Sequence, residues 1–417
     1  MEYGLIGYPL GHSVSPQIHA LFGLSDYQLY PLAPEQLETF LRQSEFRGIN
    51  VTIPYKRAVI PYCHQLSDRA EAIGSVNTLI RDAQGKLIGH NTDYAGLEFL
   101  AKQAGISFCG ARVLILGTGG AALTAKAVAK DQKAASITMV SRNGPINYTN
   151  VYDQTDTEII VNATPVGMYP NLTNRPLDLH RFPACRGVLD LIYNPLHTQL
   201  LLDADQIGIP HANGLLMLAQ QAKAAEELFL GRDIPDQASL AVACQMEQMM
   251  TNIVLIGMPG SGKTTVARQV AASTGRVLVD TDEWIETKSG MTIPQIFALE
   301  EETGFRKRET EVILEAATQT GQVISCGGGA VLAPENRCAL RQNGRIYLLE
   351  SDMEQLDRSG RPLSTSPEAI VRMAQERGPI YRAFADQIIY NDLRSRRAAE
   401  QIEEDFYAHF GHQRTES

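Results

Sequence analysis

The sequence predicts an α/β protein built as two nucleotide-binding units in series, and three observations carry that prediction. The first is an apolar strand, Arg112-Val113-Leu114-Ile115-Leu116, running into Gly117-Thr118-Gly119-Gly120-Ala121-Ala122 and a helical pattern to about Lys130. The second is Ile253-Val254-Leu255-Ile256, running into Gly257-x-x-x-x-Gly262-Lys263-Thr264 and a helical pattern from Val266 to Ala272. In each, a glycine turn between strand and helix lets successive backbone N–H groups face one anion. The third is positional. A loop of the second kind closes the first strand of its domain, so a fresh fold starts near Thr251 and everything before it is a separate unit.

Composition sets the outer limits. At 417 residues the chain has room for two or three domains, each with its own core. A net charge of −10 and the lack of any basic stripe argue against nucleic acid. No apolar run approaches the roughly 20 residues of a membrane span, and Met1-Glu2-Tyr3-Gly4 does not read as a signal peptide. The six cysteines (Cys63, Cys109, Cys185, Cys244, Cys326, Cys338) are widely spaced and without metal-ligand spacing. They read as reduced thiols, so a cytoplasmic protein is expected.

From the amino terminus, Tyr3 to Ile6 suggests a strand ending in Gly7-Tyr8-Pro9-Leu10-Gly11. In His12-Ser13-Val14-Ser15-Pro16, Ser15 is placed to cap a helix with Pro16 at its first position, which leaves Ser13 unexplained. Gly48 to Ile53 reads as a strand delivering Pro54-Tyr55-Lys56. Ser75-Val76-Asn77-Thr78 and Gly89-His90-Asn91-Thr92-Asp93 follow at turns. Taken singly, Lys56 suits a solvated surface position and Asp93 suits the cap of a helix from Tyr94 to Gln103.

The Arg112–Lys130 stretch is Gly-x-Gly-x-x-Ala in a strand–turn–helix setting, the pattern of a Rossmann dinucleotide site, with Gly117, Gly119, Gly120 and Ala121 against the cofactor. The next strand, Ser136 to Val140, ends at Ser141-Arg142-Asn143. An NAD site would usually place an acid there, whereas Arg142 suits the 2′-phosphate of NADP. Val161-Asn162-Ala163-Thr164 is a strand leading into a loop. Asp190-x-x-Tyr193-x-Pro195 and Gly214-Leu215-Leu216-Met217-Leu218-x-x-Gln221 come later, where Met217 also fits plain helix packing and Gln221 surface exposure.

Taken together, Ser13-x-Ser15, Asn50-Val51-Thr52-x-Pro54-x-Lys56, Ser75-Val76-Asn77-Thr78 and Asn91-Thr92-Asp93 resemble, in order, the substrate-domain motifs of shikimate dehydrogenases, and the resemblance runs to about residue 245. It implies that Ser13 and Ser15 hold a substrate carboxylate. Thr52, Asn77, Lys56 and Asp93 would surround the ring hydroxyls, with Lys56 and Asp93 as the catalytic pair. It also implies that Tyr193 and Gln221 touch substrate, Thr164 lies beside the nicotinamide ribose, and Met217 meets the nicotinamide. The chemistry suits these residue types. Hydride transfer to a ketone builds charge on oxygen, which a protonated lysine stabilises and neutralises.

The helix ending Cys244-Gln245-Met246-Glu247-Gln248-Met249-Met250 meets the next strand with no Pro/Gly/Ser linker, so a restricted relative orientation of the domains is expected. Beyond the phosphate loop, Val277-Leu278-Val279-Asp280-Thr281-Asp282 ends in two acids, which strand alternation would put on one side. Asp280 suits Mg²⁺ and Asp282 the orientation of an acceptor hydroxyl, although Asp282 could also cap the helix that follows. Phe305-Arg306-x-x-Glu309, Cys326-Gly327-Gly328-Gly329, Gly360-Arg361-Pro362-Leu363 and Arg377-Gly378-Pro379-Ile380-Tyr381 complete the set.

This set resembles shikimate kinase over about 251 to 410. The resemblance implies that Asp282, Arg306, Arg377 and the Gly327–Gly329 loop, Gly328 included, hold shikimate, with Asp282 and Lys263 catalytic. ATP would lie against Gly257, Gly260, Ser261, Gly262, Lys263, Thr264 and Thr265, with Arg361 in a lid, and Mg²⁺ against Thr264 and Asp280. Two departures stand out. Glu300-Glu301 takes the place where that family has Gly-Glu, which predicts a loop of different shape, and the lid is short.

The expectation is thus an N-terminal α/β substrate domain (1–100, rejoined by about 215–248), a Rossmann NADP-binding domain (101–214), and a P-loop nucleoside-monophosphate-kinase-like domain (251–417). Together they would reduce 3-dehydroshikimate with NADPH and phosphorylate the product with ATP and Mg²⁺. The expected partners are small-molecule substrates, with no nucleic acid and no membrane, and with a homo-oligomer left open. Two other readings stay open: a shikimate-binding scaffold or sensor with one half inactive, and a first half that oxidises quinate with NAD.

Overall fold

The computed structural model describes residues 2–11, 13–352, 367–392 and 395–412. The chain divides into two compact units. One takes residues up to Met168 with Asn174–Asn194 and Leu200–Met246; the other takes Tyr169–Thr173, Pro195–Gln199 and the chain from Glu247 onward. The Asp236–Met250 helix spans that division, and Thr251 alone separates it from the following strand.

The first unit carries two sheets among the described residues. One contains β1 (Tyr3–Gly7), β2 (Tyr27–Pro31), β3 (Gly48–Val51), β4 (Gln65–Leu66), β5 (Thr78–Arg81) and β6 (Leu87–His90), in the order β2-β1-β3-β5-β6-β4. β1 runs parallel to β2 and β3, whereas β5 is antiparallel to β3 and β6. The register sets Asn50 opposite Thr78, and Thr78 opposite His90. The residues that follow β3, precede β5 and follow β6 therefore come together at one end of the sheet. β3 stops at Val51, short of the expected Ile53, as the chain turns through Thr52–Tyr55 into Pro54, which has no N–H for a ladder.

The second sheet is parallel throughout, ordered β11-β10-β9-β7-β8 from β7 (Arg112–Leu116), β8 (Ser136–Val140), β9 (Ile159–Asn162), β10 (Gly187–Asp190) and β11 (His211–Ala212). The strand order reverses at β7, so a crevice opens at its carboxyl end where the glycine loop lies. Its buried apolar strands pack Val113, Ile115, Ile159, Val161 and Leu189 against Ala122, Ala125 and Val128 of the Gly120–Asp131 helix. Small residues on that helix permit the close approach.

In the second unit, β12 (Asn252–Ile256), β13 (Val277–Asp280), β14 (Gln322–Ser325), β15 (Gly344–Glu350) and β16 (Gln387–Tyr390) form a parallel sheet ordered β13-β14-β12-β15-β16. Here the switch point falls at β12, again at the start of a glycine loop. The helix after it runs Lys263–Thr274, beginning earlier than the apolar pattern shows because its first turn is polar and faces the loop.

Three expectations about helix ends are corrected. The Ser15–Phe22 helix begins at Ser15 itself, with Val14 flanking it and no side-chain cap, since Pro16 fits the second position as well as the first. Asp93 is the first residue of the Asp93–Gln103 helix, and Asn91 Oδ1 accepts from Tyr94 N–H instead, which frees the Asp93 carboxylate. Asp280, not Asp282, caps the Thr281–Ser289 helix: its Oδ1 accepts from the N–H groups of Asp282 and Glu283. The strand therefore ends at Asp280, and alternation does not govern Asp282.

At Glu300-Glu301, where a loop of different shape is expected, the helical segment is broken by a kink. Glu301 sits at φ 58°, ψ −170° inside the Ile293–Thr318 helical segment, a backbone conformation suited to glycine. Flanking ion pairs hold it there, Glu300 gripping Arg308 at 2.6 and 2.9 Å and Glu302 gripping Arg306 at 2.9 Å. Such strain is on the order of 1–3 kcal/mol. Glu301→Gly should relieve it and raise the stability of the second unit by about 1 kcal/mol, net of glycine's greater unfolded-state entropy. Urea unfolding followed by loss of ATP-dependent activity checks this, and a lower midpoint would refute it.

Candidate active sites

In the first unit the Lys56 Nζ donates to Asp93 Oδ2 at 2.6 Å. The Asp93 side chain is 2 % exposed and that of Lys56 17 %, so the pair lies at the floor of a site with the ammonium outward. Asn77 organises it from the position just before β5. Its Nδ2 lies 3.0 Å from Asp93 Oδ1, 3.0 Å from Thr92 Oγ1 and 3.1 Å from Gln221 Oε1, and its Oδ1 accepts from Thr92 N–H at 2.7 Å. Lys56, Asn77, Asp93 and Gln221, scattered over the sequence, thus form one network, and surface exposure does not describe Gln221. Ser13 Oγ donates to Ser15 Oγ at 3.1 Å, so these two form their own pair at the start of the Ser15–Phe22 helix. Thr52 and Tyr193 are half-buried, and burial raises the Tyr193 phenol above its usual range.

The dinucleotide loop reaches this network. A Cβ at Gly120 would stand 2.9 Å from Ser75 Oγ and 3.1 Å from the Lys56 Cδ, so the loop lies directly against the Lys56 stem. Gly117 holds φ +109°, and a Cβ there would press within 3.0 Å of the Ala163 carbonyl. Gly119 flanks the helix with no side-chain cap, leaving its first N–H groups for an anion. Ala121 follows on the first turn. Thr164 Oγ1 donates to Asn162 Oδ1 at 2.7 Å, and its methyl carbon would lie 3.2 Å from a Cβ at Gly117. Arg142 is exposed just past β8, and its charge opposes the rise that burial gives the Tyr148 phenol. Met217 is 6 % exposed and packs beneath Gly96, so helix packing accounts for its side chain.

In the second unit Lys263 Nζ donates to the carbonyls of Gly257 and Met258, both at 2.9 Å. Gly257, Gly260 and Gly262 all have positive φ. A Cβ at Gly257 would meet the Leu349 carbonyl at 2.5 Å, and one at Gly262 the Asn391 amide at 2.7 Å. Gly262 flanks the next helix, again with no side-chain cap. Ser261 is buried and Thr265 follows in the first helical turn. Thr264 Oγ1 donates to Asp280 Oδ2 at 2.7 Å, bringing together the hydroxyl and carboxylate expected to share Mg²⁺. That sparse set fits an ion that keeps several waters and takes phosphate oxygens.

A second cluster sits beside it. Cβ atoms placed on Gly327, Gly328 and Gly329 would stand 2.7 Å from Asp282 Oδ1, 2.6 Å from the Pro259 ring and 1.9 Å from Arg306 Nη1, respectively. The triple glycine therefore lets Asp282, the phosphate loop and Arg306 converge on one strip of backbone. Arg377 Nη1 and the Tyr381 hydroxyl both donate to the Gly328 carbonyl, the former at 3.0 Å, and burial pushes that phenol up to about 12.

Comparison with known proteins decides what these sites belong to. The family profile for the shikimate dehydrogenase substrate binding domain matches residues 5–79, and that for shikimate kinase matches 259–406. A shikimate dehydrogenase (NADP(+)) from Shouchella clausii is 35% identical over 263 residues, 55% of this chain and 93% of that protein. The first unit belongs to the shikimate dehydrogenase family. The fold agrees. A chorismate mutase/shikimate 5-dehydrogenase fusion protein from Clostridium acetobutylicum matches with a TM-score of 0.55 and 33% identity, over 59% of this chain and 97% of that one. The Thermus thermophilus shikimate 5-dehydrogenase solved with NADP(H) and shikimate gives 0.53 and 29%, over 59% and 99%. With a shikimate dehydrogenase and a shikimate kinase domain in one polypeptide, the chain is a bifunctional shikimate pathway enzyme.

Two site residues of these domains carried no role in the sequence reading. In the dehydrogenase domain the Ser75 hydroxyl is buried, lacks a hydrogen-bond partner and faces the dinucleotide loop. In the kinase domain Glu309, 1 % exposed, accepts from Arg306 Nη1 at 2.7 Å, and burial raises its carboxyl above the usual range despite that arginine. The Phe-Arg-x-x-Glu spacing was the available signal, since residues three apart share a helix face. Arg361 lies outside the described residues. Among the described residues no helix is long and apolar enough to cross a membrane.

Proposed function

We propose that the dehydrogenase domain reduces 3-dehydroshikimate to shikimate with NADPH, and that the kinase domain converts shikimate to shikimate 3-phosphate with MgATP. The contact between Gly120 of the dinucleotide loop and the stem of Lys56, whose ammonium rests on Asp93, carries the first half. It sets a cofactor loop beside an acid able to protonate a ketone oxygen. NADPH supplies the hydride. Lys56 Nζ delivers the proton and stabilises the charge that develops on oxygen, and Asp93 keeps the ammonium oriented. Asn77 and Gln221 fix the ring hydroxyls, Ser13 and Ser15 take the carboxylate, and Thr52 and Tyr193 close the pocket.

In the kinase domain Arg306 and Arg377 grip the carboxylate, Asp282 orients the acceptor hydroxyl over the Gly327–Gly329 strip, and Lys263 faces the outer phosphates. Arg306 is engaged on both sides, by Glu302 and Glu309, so an incoming carboxylate exchanges with the exposed Glu302 while buried Glu309 keeps the fork in place. The functional extents are 1–100 with 215–248, 101–214, and 251–417, in a cytoplasmic protein.

One assay tests the whole reading: purified protein with 3-dehydroshikimate, NADPH and MgATP, following NADPH loss and shikimate 3-phosphate together. Both should proceed; formation of neither product would sink the reading. The preference for NADP rests on Arg142 and the absence of an acid after β8. Arg142→Ala should raise KM for NADPH by at least about tenfold, as expected for loss of a charge-assisted phosphate contact, and barely change KM for NADH. Equal losses for both cofactors would end that assignment.

A further inference from the structure

The dehydrogenase domain buries an acid–base pair that the mechanism above does not use. His19 is 2 % exposed and Glu226 fully buried, with His19 Nδ1 2.9 Å from Glu226 Oε1, while Glu226 Oε2 has no hydrogen-bond partner. Such a pair is costly to desolvate, and a hydrophobic pair of similar volume often serves stability as well or better. Its place in the fold suggests what it does. His19 lies one helical turn beyond Ser15, and Glu226 lies on the Leu215–Leu230 helix that also carries Gln221. These two helices pack together, so the pair pins the helix presenting the Ser13–Ser15 hydroxyls to the helix presenting Gln221.

The pair also abuts a chain of hydrogen bonds that runs from Tyr27 to Asp93, the partner of Lys56. The Tyr27 ring stacks on the His19 imidazole, with centroids 3.8 Å apart and planes 14° apart. Tyr27 hydroxyl donates to Asn50 Oδ1 at 2.7 Å, and Asn50 Nδ2 to Thr78 Oγ1 at 3.0 Å. Thr78 Oγ1 donates to Asn77 Oδ1 at 3.2 Å, and Asn77 Nδ2 to Asp93 Oδ1 at 3.0 Å. Asn77 Nδ2, at the end of this route, also reaches Thr92 and Gln221, so a shift fed through Asn50 and Thr78 is felt across the whole network around Asp93.

We infer that His19 and Glu226 are positioning residues for ketone reduction, holding the two substrate-gripping helices and, through Tyr27, Asn50, Thr78 and Asn77, the orientation of Asp93. The inference rests on the assignment of Lys56 and Asp93 as the reducing site. Burial lowers the His19 imidazole below its ordinary range, and the neighbouring Glu226 carboxylate opposes that.

The test uses the full chain, with its kinase rate as an internal control. Tyr27→Phe removes only the hydroxyl that feeds Asn50, and Glu226→Gln keeps the volume. Each should lower kcat/KM for 3-dehydroshikimate about tenfold, as loss of a buried hydrogen bond implies. KM for NADPH and the kinase rate should not change. His19→Phe leaves a buried carboxylate alone and should also lower the melting temperature. Adding Glu226→Met should restore the melting temperature but not kcat/KM. If kcat/KM returns together with stability, or if Tyr27→Phe and Glu226→Gln match the wild type, the pair is merely structural and the inference fails. Full activity of Lys56→Met would instead remove the site assignment on which it rests.

Discussion

Lys56→Met is expected to lower kcat for reduction of 3-dehydroshikimate by about a thousandfold, within the range by which a positioned general acid accelerates proton transfer, and to leave shikimate phosphorylation by the same polypeptide unchanged. The size follows from the surroundings. Asp93 is buried and receives both the Lys56 ammonium at 2.6 Å and the Asn77 amide at 3.0 Å. Removing the ammonium would therefore take away the proposed proton donor and strand a buried carboxylate beside the developing oxyanion, two effects that both oppose reaction. Lys56→Arg should not rescue the rate, because a planar fork cannot place one donor where Nζ stands and does not release its proton near neutral pH. Asp93→Asn should lose less, since the amide still orients the lysine by hydrogen bonding. Stopped-flow or steady-state NADPH oxidation reads these rates, and a Lys56→Met enzyme within tenfold of wild type would mean that another group protonates the ketone.

The sequence was legible where local chemistry and tertiary role coincide. Both glycine loops fell where the strand order reverses, because an apolar run followed by glycines and a small-residue helix has few other uses. The strands Arg112–Leu116 and Ser136–Val140 matched residue for residue, as continuous apolar runs flanked by turns do in parallel sheets. Helix starts were harder. Ser15, Asp93 and Asp282 are residue types that cap helices, and each lies one or two positions inside its helix with another residue flanking it. Capping chemistry and site chemistry use the same side chains, so sequence alone could not tell which role each plays. At Glu301 the sequence marked a departure but not its backbone conformation. A glutamate normally signals ordinary helix, but the ion pairs of its neighbours hold it in a glycine-type conformation. The His19–Glu226 pair left no local trace, since its members are 207 positions apart and only packing of two helices joins them.

In the kinase domain the corresponding large effect is expected at Lys263. Lys263 is 7 % exposed, and its ammonium spans the Gly257 and Met258 carbonyls, bracing the phosphate loop. Lys263→Met should thus remove a loop brace as well as the charge that meets the outer phosphates. Because developing charge in phosphoryl transfer is stabilised almost wholly by positioned cations, a loss of about 10³-fold in kcat/KM for ATP is expected. Lys263→Arg should fare little better, as the larger fork does not fit between two carbonyls each held at 2.9 Å. The reduction of 3-dehydroshikimate in the same sample should stay at the wild-type rate, which separates a lost phosphate contact from poor folding of the preparation. A Lys263→Met protein that kept its ATP-dependent activity within tenfold would show that the backbone loop alone binds and activates the nucleotide. The combined loss in a Lys56→Met/Lys263→Met double variant should equal the two single losses taken separately, since each lysine is proposed to act on a different reaction. A departure from that independence in either rate would reveal that the state of one site is sensed at the other.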